Sequence, residues 1–374
     1  MEERSQSFNG ERRRSFDRKS SYDYSKDDHG YVKERSFDSS EYRSSGHNLM
    51  NNSLNCETKE ILKQDRISAM SNEILFHILS FLSTKDAIKT NMLSNKWLRL
   101  WNFVPNLHFT CTFLEYEYIR EFVTFADQTL LLHRAFRVNK FIVNFHYNHS
   151  LASNVDEWVH FATNANVEGL WLLLLGERGC GDNHYDLPQH VYTNSSMTTL
   201  KLTWCDVEPN GLIRWKSLKS LLIGCTDLSE DVMQNILVGA PVLESLELYR
   251  CCGFNRLDIG SASLRKLVLR DYWDPMGSED NSVLEISAPN IQSLAILGCV
   301  LRKKLRLMNM QSLDYCDLNF WLITYIQDMD NDYEVHQNVL RELLDGLRDA
   351  KKLSMGNWCI QVGFSWYLSL YSCI

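Results

Sequence analysis

The chain has 374 residues, 44% hydrophobic and 23% charged, an ordinary globular composition with length for two or three domains and a sizeable core. Its 39 Lys and Arg against 47 Asp and Glu leave a net charge of −8, which argues against a nucleic-acid or anionic-membrane binder, since both need a basic surface. No run approaches the roughly 20 apolar residues of a membrane span. The start MEERSQSFNGERRR has no apolar segment behind its charges and does not read as a secretory signal. Eleven cysteines without a C-x-x-C pair read as reduced thiols of a nuclear or cytoplasmic protein.

Residues 1–61 form a polar tail. Aliphatic residues are almost absent before Leu49, and residues 1–60 carry 11 basic and 12 acidic side chains. Such a balanced polyampholyte buries too little apolar surface to offset its ordering entropy and is expected to be disordered. The tetrapeptide RSFD occurs at Arg14–Asp17 and again at Arg35–Asp38. Ser15, Ser21 and Ser36 each follow a basic residue by three positions, which marks them as candidate phosphorylation sites. Arg12, Arg13 and Arg14 make a short basic run of the kind import receptors read.

Residues 62–104 turn helical. Ile74, Leu75, Ile78, Leu79 and Leu82 share one stripe of a helix that Ser71 is placed to cap. Ser83 and Asp86 form a capping box for a second short helix through Ala87, Ile88 and Met92. A third helix is expected from Ser94, carrying Trp97, Leu98 and Trp101. So small a unit is marginal alone, and part of its apolar stripe is expected to meet a partner.

Residues 105–374 read as strand and helix in alternation. Val138–Tyr147 predicts a strand, Val155–Ala165 a helix and Leu170–Leu175 a buried strand. A phrase L-x-x-L-x-L then recurs, beginning at Met197, Leu218, Leu243, Leu264, Ile291 and Leu313, at spacings of 21, 25, 21, 27 and 22 residues. These fall in the 20–29-residue window of leucine-rich repeats. Degenerate copies begin at Val167 and Ala350, and Ser229–Gly239 predicts a linking helix. The expected fold is therefore α/β: a helical head, then a solenoid of eight or so units with a curved parallel sheet, clearest over residues 197–321. Cys205, Cys251 and Cys299 fall in the repeat slot that prefers Asn or Cys and are expected to be buried structural thiols. Near the end, Val339, Leu340, Leu343, Leu344 and Leu347 predict an amphipathic helix, and LSMGNWC another strand. The final QVGFSWYLSLYSCI is apolar and lacks the polar face of a capping repeat, so an exposed hydrophobic edge is expected there.

Strand alternation puts the residues between the inner aliphatics on the concave surface. Candidate binding residues on that surface are Trp171, Lys201, Leu222, Glu247, Tyr249, Arg270, Leu297 and Asp317, an aromatic, aliphatic and mixed-charge set that suits a protein partner. Catalysis finds no support. GERGCG at Gly176–Gly181 lacks a Walker lysine and the G-x-G-x-x-G spacing. Cys180, Asp182, His184, Asp186 and His190 lie close in sequence but match no standard ligand set, and no nucleophile elbow or zinc-protease motif is present. The chain reads as a non-enzyme with no cofactor and no metal.

With these elements in place, DRISAMSNEILFHILSFLSTKDAIKTNMLSNKWLRLW resembles a plant-type F-box. VPNLHF, LPQHVYTNSSMTTLKL and GAPVLESLELYRC resemble the repeat domain that follows it in plant F-box/leucine-rich-repeat proteins of the F-box/FBD type. The likeness covers roughly residues 62–359, with no FBD region in view, as in a truncated or spliced product. It implies a substrate-recognition subunit of an SCF-type ubiquitin ligase. The F-box would dock on a Skp-type adaptor, through it on a cullin and a RING protein, while the repeats hold a protein substrate; neither nucleic acid nor membrane is implied as a partner. Matching adaptor-contact positions are Ile67, Ile74, Leu75, Ile78, Leu79, Phe81, Leu82, Leu93, Trp97 and Trp101. Two departures from the family pattern stand out: Met70-Ser71 replaces the usual Leu-Pro, and Asn95-Lys96 replaces Lys-Arg before the tryptophan. The first removes a rigid lead-in to the helix and is expected to weaken docking. Two other readings stay open: a non-degradative repeat scaffold, and a ligand-gated receptor, against which the scarcity of concave arginines counts.

Overall fold

The computed structural model describes residues 66–135, 137–176, 184–272, 283–300, 304–322 and 332–362. The polar tail with its candidate phosphorylation sites lies outside the described residues, as do Cys180, Asp182 and the apolar end after Val362.

The helical head contains α1 (Asn72–Leu79) and α2 (Thr84–Lys89). Ser71 precedes α1 in extended geometry but makes no capping bond with its side chain. Ser83 does cap α2: its Oγ accepts the Asp86 N–H at 3.1 Å while its hydroxyl donates to Asp86 Oδ2 at 2.8 Å. The third segment differs from expectation. It is a turn at Ser94–Trp97 followed by a 3₁₀ helix, Leu100–Phe103, because Arg99 between them is left-handed at φ 70° and its N–H goes to Asn91 Oδ1. Leu75, Leu79, Ala87, Trp97, Leu100, Trp101 and Val104 close into a small core of their own, with Leu82 packed against it.

Among the described residues ten parallel strands make the main sheet: β1 (Asn106–Thr110), β2 (Lys140–His146), β3 (Gly169–Leu175), β4 (Thr199–Thr203) and β5 (Ser220–Gly224), then β6 (Ser245–Tyr249), β7 (Lys266–Arg270), β8 (Ser293–Val300), β9 (Tyr315–Leu322) and β10 (Lys352–Met355). Their spatial order is their chain order. All eighteen aliphatic and Cys positions of the six clear phrases are buried, which is what aligns the strands: Leu200 meets Leu221, Leu246 meets Leu267, and Leu294 meets Cys316. β1 was not anticipated and brings the described sheet to ten strands, and α3 (Tyr116–Leu132) that follows it was not anticipated either. β1 buries only Leu107 and Phe109, too short an alternation to stand out. α3 buries Ile119, Phe122, Val123, Ala126 and Thr129 at helical spacing.

Behind the sheet run α3, α4 (Ala152–Asn164), the single turn α5 (Gln189–Tyr192), α6 (Glu230–Gly239) and α7 (Asp332–Gly346). Two small parallel sheets join them, Tyr185–Asp186 with Cys205–Asp206, and Arg256–Asp258, Val283–Ser287 and Lys304–Met308. One continuous apolar core runs from Leu107 to Val362. Ser229 caps α6 by accepting the Val232 N–H. Between α3 and α4, Asp127 accepts the indole N–H of the buried Trp158 at 2.7 Å and the Asn154 amide at 3.1 Å.

The head is joined to the first strand. The His108 N–H donates to Thr84 Oγ1 at 2.7 Å, the Asn106 amide to the Ser80 carbonyl at 3.3 Å, and the Arg134 N–H to the Asn102 carbonyl at 2.7 Å. α2 thus lies against what would otherwise be an open sheet edge.

A backbone device repeats along the other end of the strands. Trp204, Cys225, Arg250, Asp271 and Gly298 each follow a register-matched strand residue, and all have positive φ, between 50° and 76°. A left-handed non-glycine residue costs about 1–2 kcal/mol. Here it is held by hydrogen bonding: the N–H groups of Trp204, Cys225, Arg250 and Asp271 donate to Gly224, Tyr249, Arg270 and Leu297, the last paired residue of the next strand, at 2.7–3.1 Å. The cysteine slot lies just beyond. The Cys251 thiol donates to the Ile223 carbonyl and the Cys205 thiol to the Thr203 carbonyl. Cys299 differs, being half-buried, with its backbone N–H donating to Asp271 Oδ1 at 2.8 Å.

Candidate functional site

On the head, the apolar residues resolve into two faces. Leu75, Leu79, Trp97 and Trp101 point inward, and Leu75 and Leu79 are 0% exposed, so these four candidate contact residues are the internal core. Leu82 is half-buried against the same core. Ile67, Ile74, Ile78, Phe81 and Leu93 are exposed, Phe81 to 76%. Their spacing explains the split: Ile74, Ile78 and Phe81 lie at i, i+4 and i+7 on one side of α1 and its end, Leu75, Leu79 and Leu82 at the same intervals on the other. Met70, Met92, Leu98 and Phe103 are also exposed and were missed by the motif match, since nothing in the sequence separates an outward from an inward apolar residue. Nine large apolar side chains thus stand outward on this small unit.

The altered lead-in is held by other bonds. The Trp97 indole donates to Ser68 Oγ at 3.0 Å, Ser68 and Ser94 hydroxyls meet at 2.7 Å, and the Lys96 ammonium donates to the Met70 carbonyl. Met70-Ser71 thus sits in a fixed position without the proline.

On the solenoid, the register places the concave candidates in two rows. One runs His108, Ile142, Trp171, Lys201, Leu222, Glu247, Val268, Ala295, Asp317 and Ser354. The other runs Thr110, Asn144, Leu173, Thr203, Gly224, Tyr249, Arg270, Leu297 and Asn319. All eight candidates, Trp171, Lys201, Leu222, Glu247, Tyr249, Arg270, Leu297 and Asp317, are half-buried on this face. Glu247 and Arg270 face each other at 3.6 Å, the Arg250 guanidinium lies over Tyr249 at 5.3 Å, and Lys201 Nζ stands 4.1 Å from the centre of the Trp171 ring.

A cleft of about 610 Å³ opens on the opposite side, between α4 and residues 185–190, lined by Tyr147, Asp156, His160, Tyr185, Asp186 and His190 among others. The Tyr185 hydroxyl donates to Asp156 Oδ1 at 2.7 Å. Burial, with smaller contributions from Asp186, Cys205 and Asp156, pushes the Tyr147 hydroxyl up to about 12. These phenols stay protonated and offer neither a base nor a nucleophile at neutral pH. His184 Nδ1 pairs with Asp206 Oδ1 at 2.7 Å, whereas Asp186 and His190 line the cleft. Among the described residues no group of three or more His, Cys, Asp or Glu is placed to hold a metal, and no helix is long and apolar enough to cross a membrane.

Comparison with known proteins follows the same division. Residues 67–109 match the F-box domain family, and residues 155–318 match the leucine-rich repeats of the FBD-associated F-box protein At5g56370 family. The putative F-box/LRR-repeat protein At3g18150 of Arabidopsis thaliana is 31% identical over 80% of this chain and 61% of its own length. The F-box protein At5g03100 of the same plant is 28% identical over 80% of this chain and 91% of its own length. F-box/LRR-repeat protein 25 is 31% identical over 62% of this chain and 85% of its own length. The chain spans about three fifths of the length of several of the curated relatives it matches. A helical head with an outward apolar face, ten register-locked repeat strands and these two family matches agree on one assignment: the chain belongs to the plant F-box/leucine-rich-repeat proteins.

Proposed function

We propose that this chain is a non-catalytic substrate-recognition subunit of an SCF-type E3 ubiquitin ligase. The F-box docks on a Skp-type adaptor that brings a cullin and a RING protein, and the concave repeat face binds a protein substrate in the nucleus or cytoplasm. The observation that carries the reading is the set Ile67, Ile74, Ile78, Phe81 and Leu93: apolar and exposed, on a unit whose own core is already closed without them. Leaving that much apolar surface in water is unfavourable by about 25 cal/mol per Å², and a docking partner removes the cost. The bonds that hold Ser68, Met70 and Trp97 support an intact docking geometry despite the missing proline.

Co-purification with a Skp-type adaptor tests this, comparing the intact chain with an Ile74→Glu, Phe81→Glu double variant. Both positions are exposed, so the variant is expected to fold, as circular dichroism will show, and to lose the adaptor. Variants at Leu75 or Trp97 would be uninformative because they strike the core. If the intact chain does not bind the adaptor, the chain acts instead as a repeat scaffold without cullin recruitment.

A further inference from the structure

We infer that the N-terminal half of the concave face is a docking site for an acidic side chain of the substrate, a carboxylate received by the ammonium groups of Lys201 and Lys140, which flank the Trp171 indole. The inference rests on the substrate-recognition reading and adds the chemistry of what is recognised. Lys201 is the direct register partner of Trp171 on β4, and Lys140 lies two residues before the partner Ile142 on β2, so the two ammonium groups approach one indole from both neighbouring strands. Their distances to the ring centre are 4.1 Å and 5.7 Å, within cation–π range.

Neither lysine has a carboxylate within 4.0 Å among the described residues. That contrasts with other basic residues of the solenoid: Arg137 pairs with Glu168, Lys219 with Glu244, Arg306 with Glu285 and Lys351 with Asp314. In the two concave rows on β1 to β5 there is no acid at all; the first is Glu247 on β6, and it faces Arg270. On a chain of net charge −8, this stretch of the concave face thus carries two cations and, among the described residues of its two rows, no acid. A carboxylate arriving there gains charge-assisted hydrogen bonding from an ammonium group. The Trp171 indole N–H is also buried without an acceptor among the described residues. Ile142, Leu173 and Leu222 surround the pair and offer apolar contact to residues flanking the acid. Phosphate recognition favours the forked guanidinium, and the two rows on β1 to β5 carry no arginine among the described residues, so a carboxylate is the occupant assigned.

The test is selection from a random-peptide display library on the full chain co-expressed with a Skp-type adaptor. The intact chain is expected to enrich Asp or Glu beside Leu, Ile or Phe. A Lys140→Glu, Lys201→Glu variant is expected to bind those peptides at least about tenfold more weakly and to select Lys or Arg instead. A Lys140→Met, Lys201→Met variant, which keeps the apolar stems, is expected to lose the acidic preference without reversing it. Selection without acidic enrichment, the same peptides from all three chains, or tighter binding of phosphoserine analogues than of the selected carboxylates would overturn the assignment. Adaptor retention is read on the same samples, so failure of the F-box reading shows separately from failure of this one.

Discussion

The two faces of α1 predict two separable losses. Phe81 is 76% exposed, and a phenylalanine side chain buries about 150–250 Å² when covered. At about 25 cal/mol per Å², covering the exposed three quarters contributes roughly 3–5 kcal/mol to docking, of which an alanine would keep about a third. Phe81→Ala should therefore cost about 2 kcal/mol of adaptor affinity, roughly a thirtyfold weakening. Its folding stability should shift by less than about 0.5 kcal/mol, since little beyond an edge contact with His77 is lost. Leu75→Ala should do the opposite. Leu75 is 0% exposed in a core of only seven buried residues, and such a truncation costs about 2–5 kcal/mol of stability. Calorimetric titration with the adaptor and urea unfolding on both variants decide the matter. The reasoning fails if Phe81→Ala binds within twofold of the intact chain, or if it is destabilised as much as Leu75→Ala.

Three further outcomes are expected. His133 is buried against Phe161, its Nε2 donates to the Val104 carbonyl at 2.9 Å, and its Nδ1 has no partner among the described residues, so a second proton has nowhere favourable to go. Burial holds its pKa below the ordinary 6.5, so the unfolded chain takes up the proton first. Stability is full above about pH 6.5 and falls as pH drops below it, and His133→Gln should flatten part of that fall in urea midpoints measured near pH 7.5 and 5.5; an unchanged slope would refute the assignment. Gly298 has φ 76°, and a Cβ there would overlap the Asp271 carboxylate oxygen that accepts the Cys299 N–H, so Gly298→Ala should cost about 1–3 kcal/mol in thermal melts. Gly211→Ala, where a Cβ meets nothing within 4 Å, should leave the melt almost unchanged. Burial pushes the Cys205 and Cys251 thiols far up, so iodoacetamide at about pH 8 should reach them only after urea is added, as peptide mass spectrometry will show.

How much of this was legible in the sequence depended on whether the physics was local. The repeat phrases were, because a parallel strand with a buried face needs aliphatics at fixed intervals, and each of the six clear phrases buries all three. The capping pair Ser83 and Asp86 was legible for the same reason. The inward or outward sense of Ile74 against Leu75 was not, since both are apolar and only the packing of Trp97 and Trp101 decides between them. The missing third helix turned on one left-handed residue, Arg99, whose type gives no warning. Lys140 escaped notice because β2 carries no repeat phrase, and its approach to Trp171 exists only once β2 and β3 are paired in register.

The inner face keeps its register although successive phrases begin 21, 25, 21, 27 and 22 residues apart. In the 25-residue interval the surplus is taken up at the back, where α6 lies. Length and recognition are thereby uncoupled in this chain. Residues can be gained or lost behind the sheet without sliding one concave side chain past its neighbour, while a single substitution at a concave position rewrites one place in the two rows and leaves the rest legible to the same partner. A lineage of such proteins can explore new partners strand by strand, with the scaffold held constant.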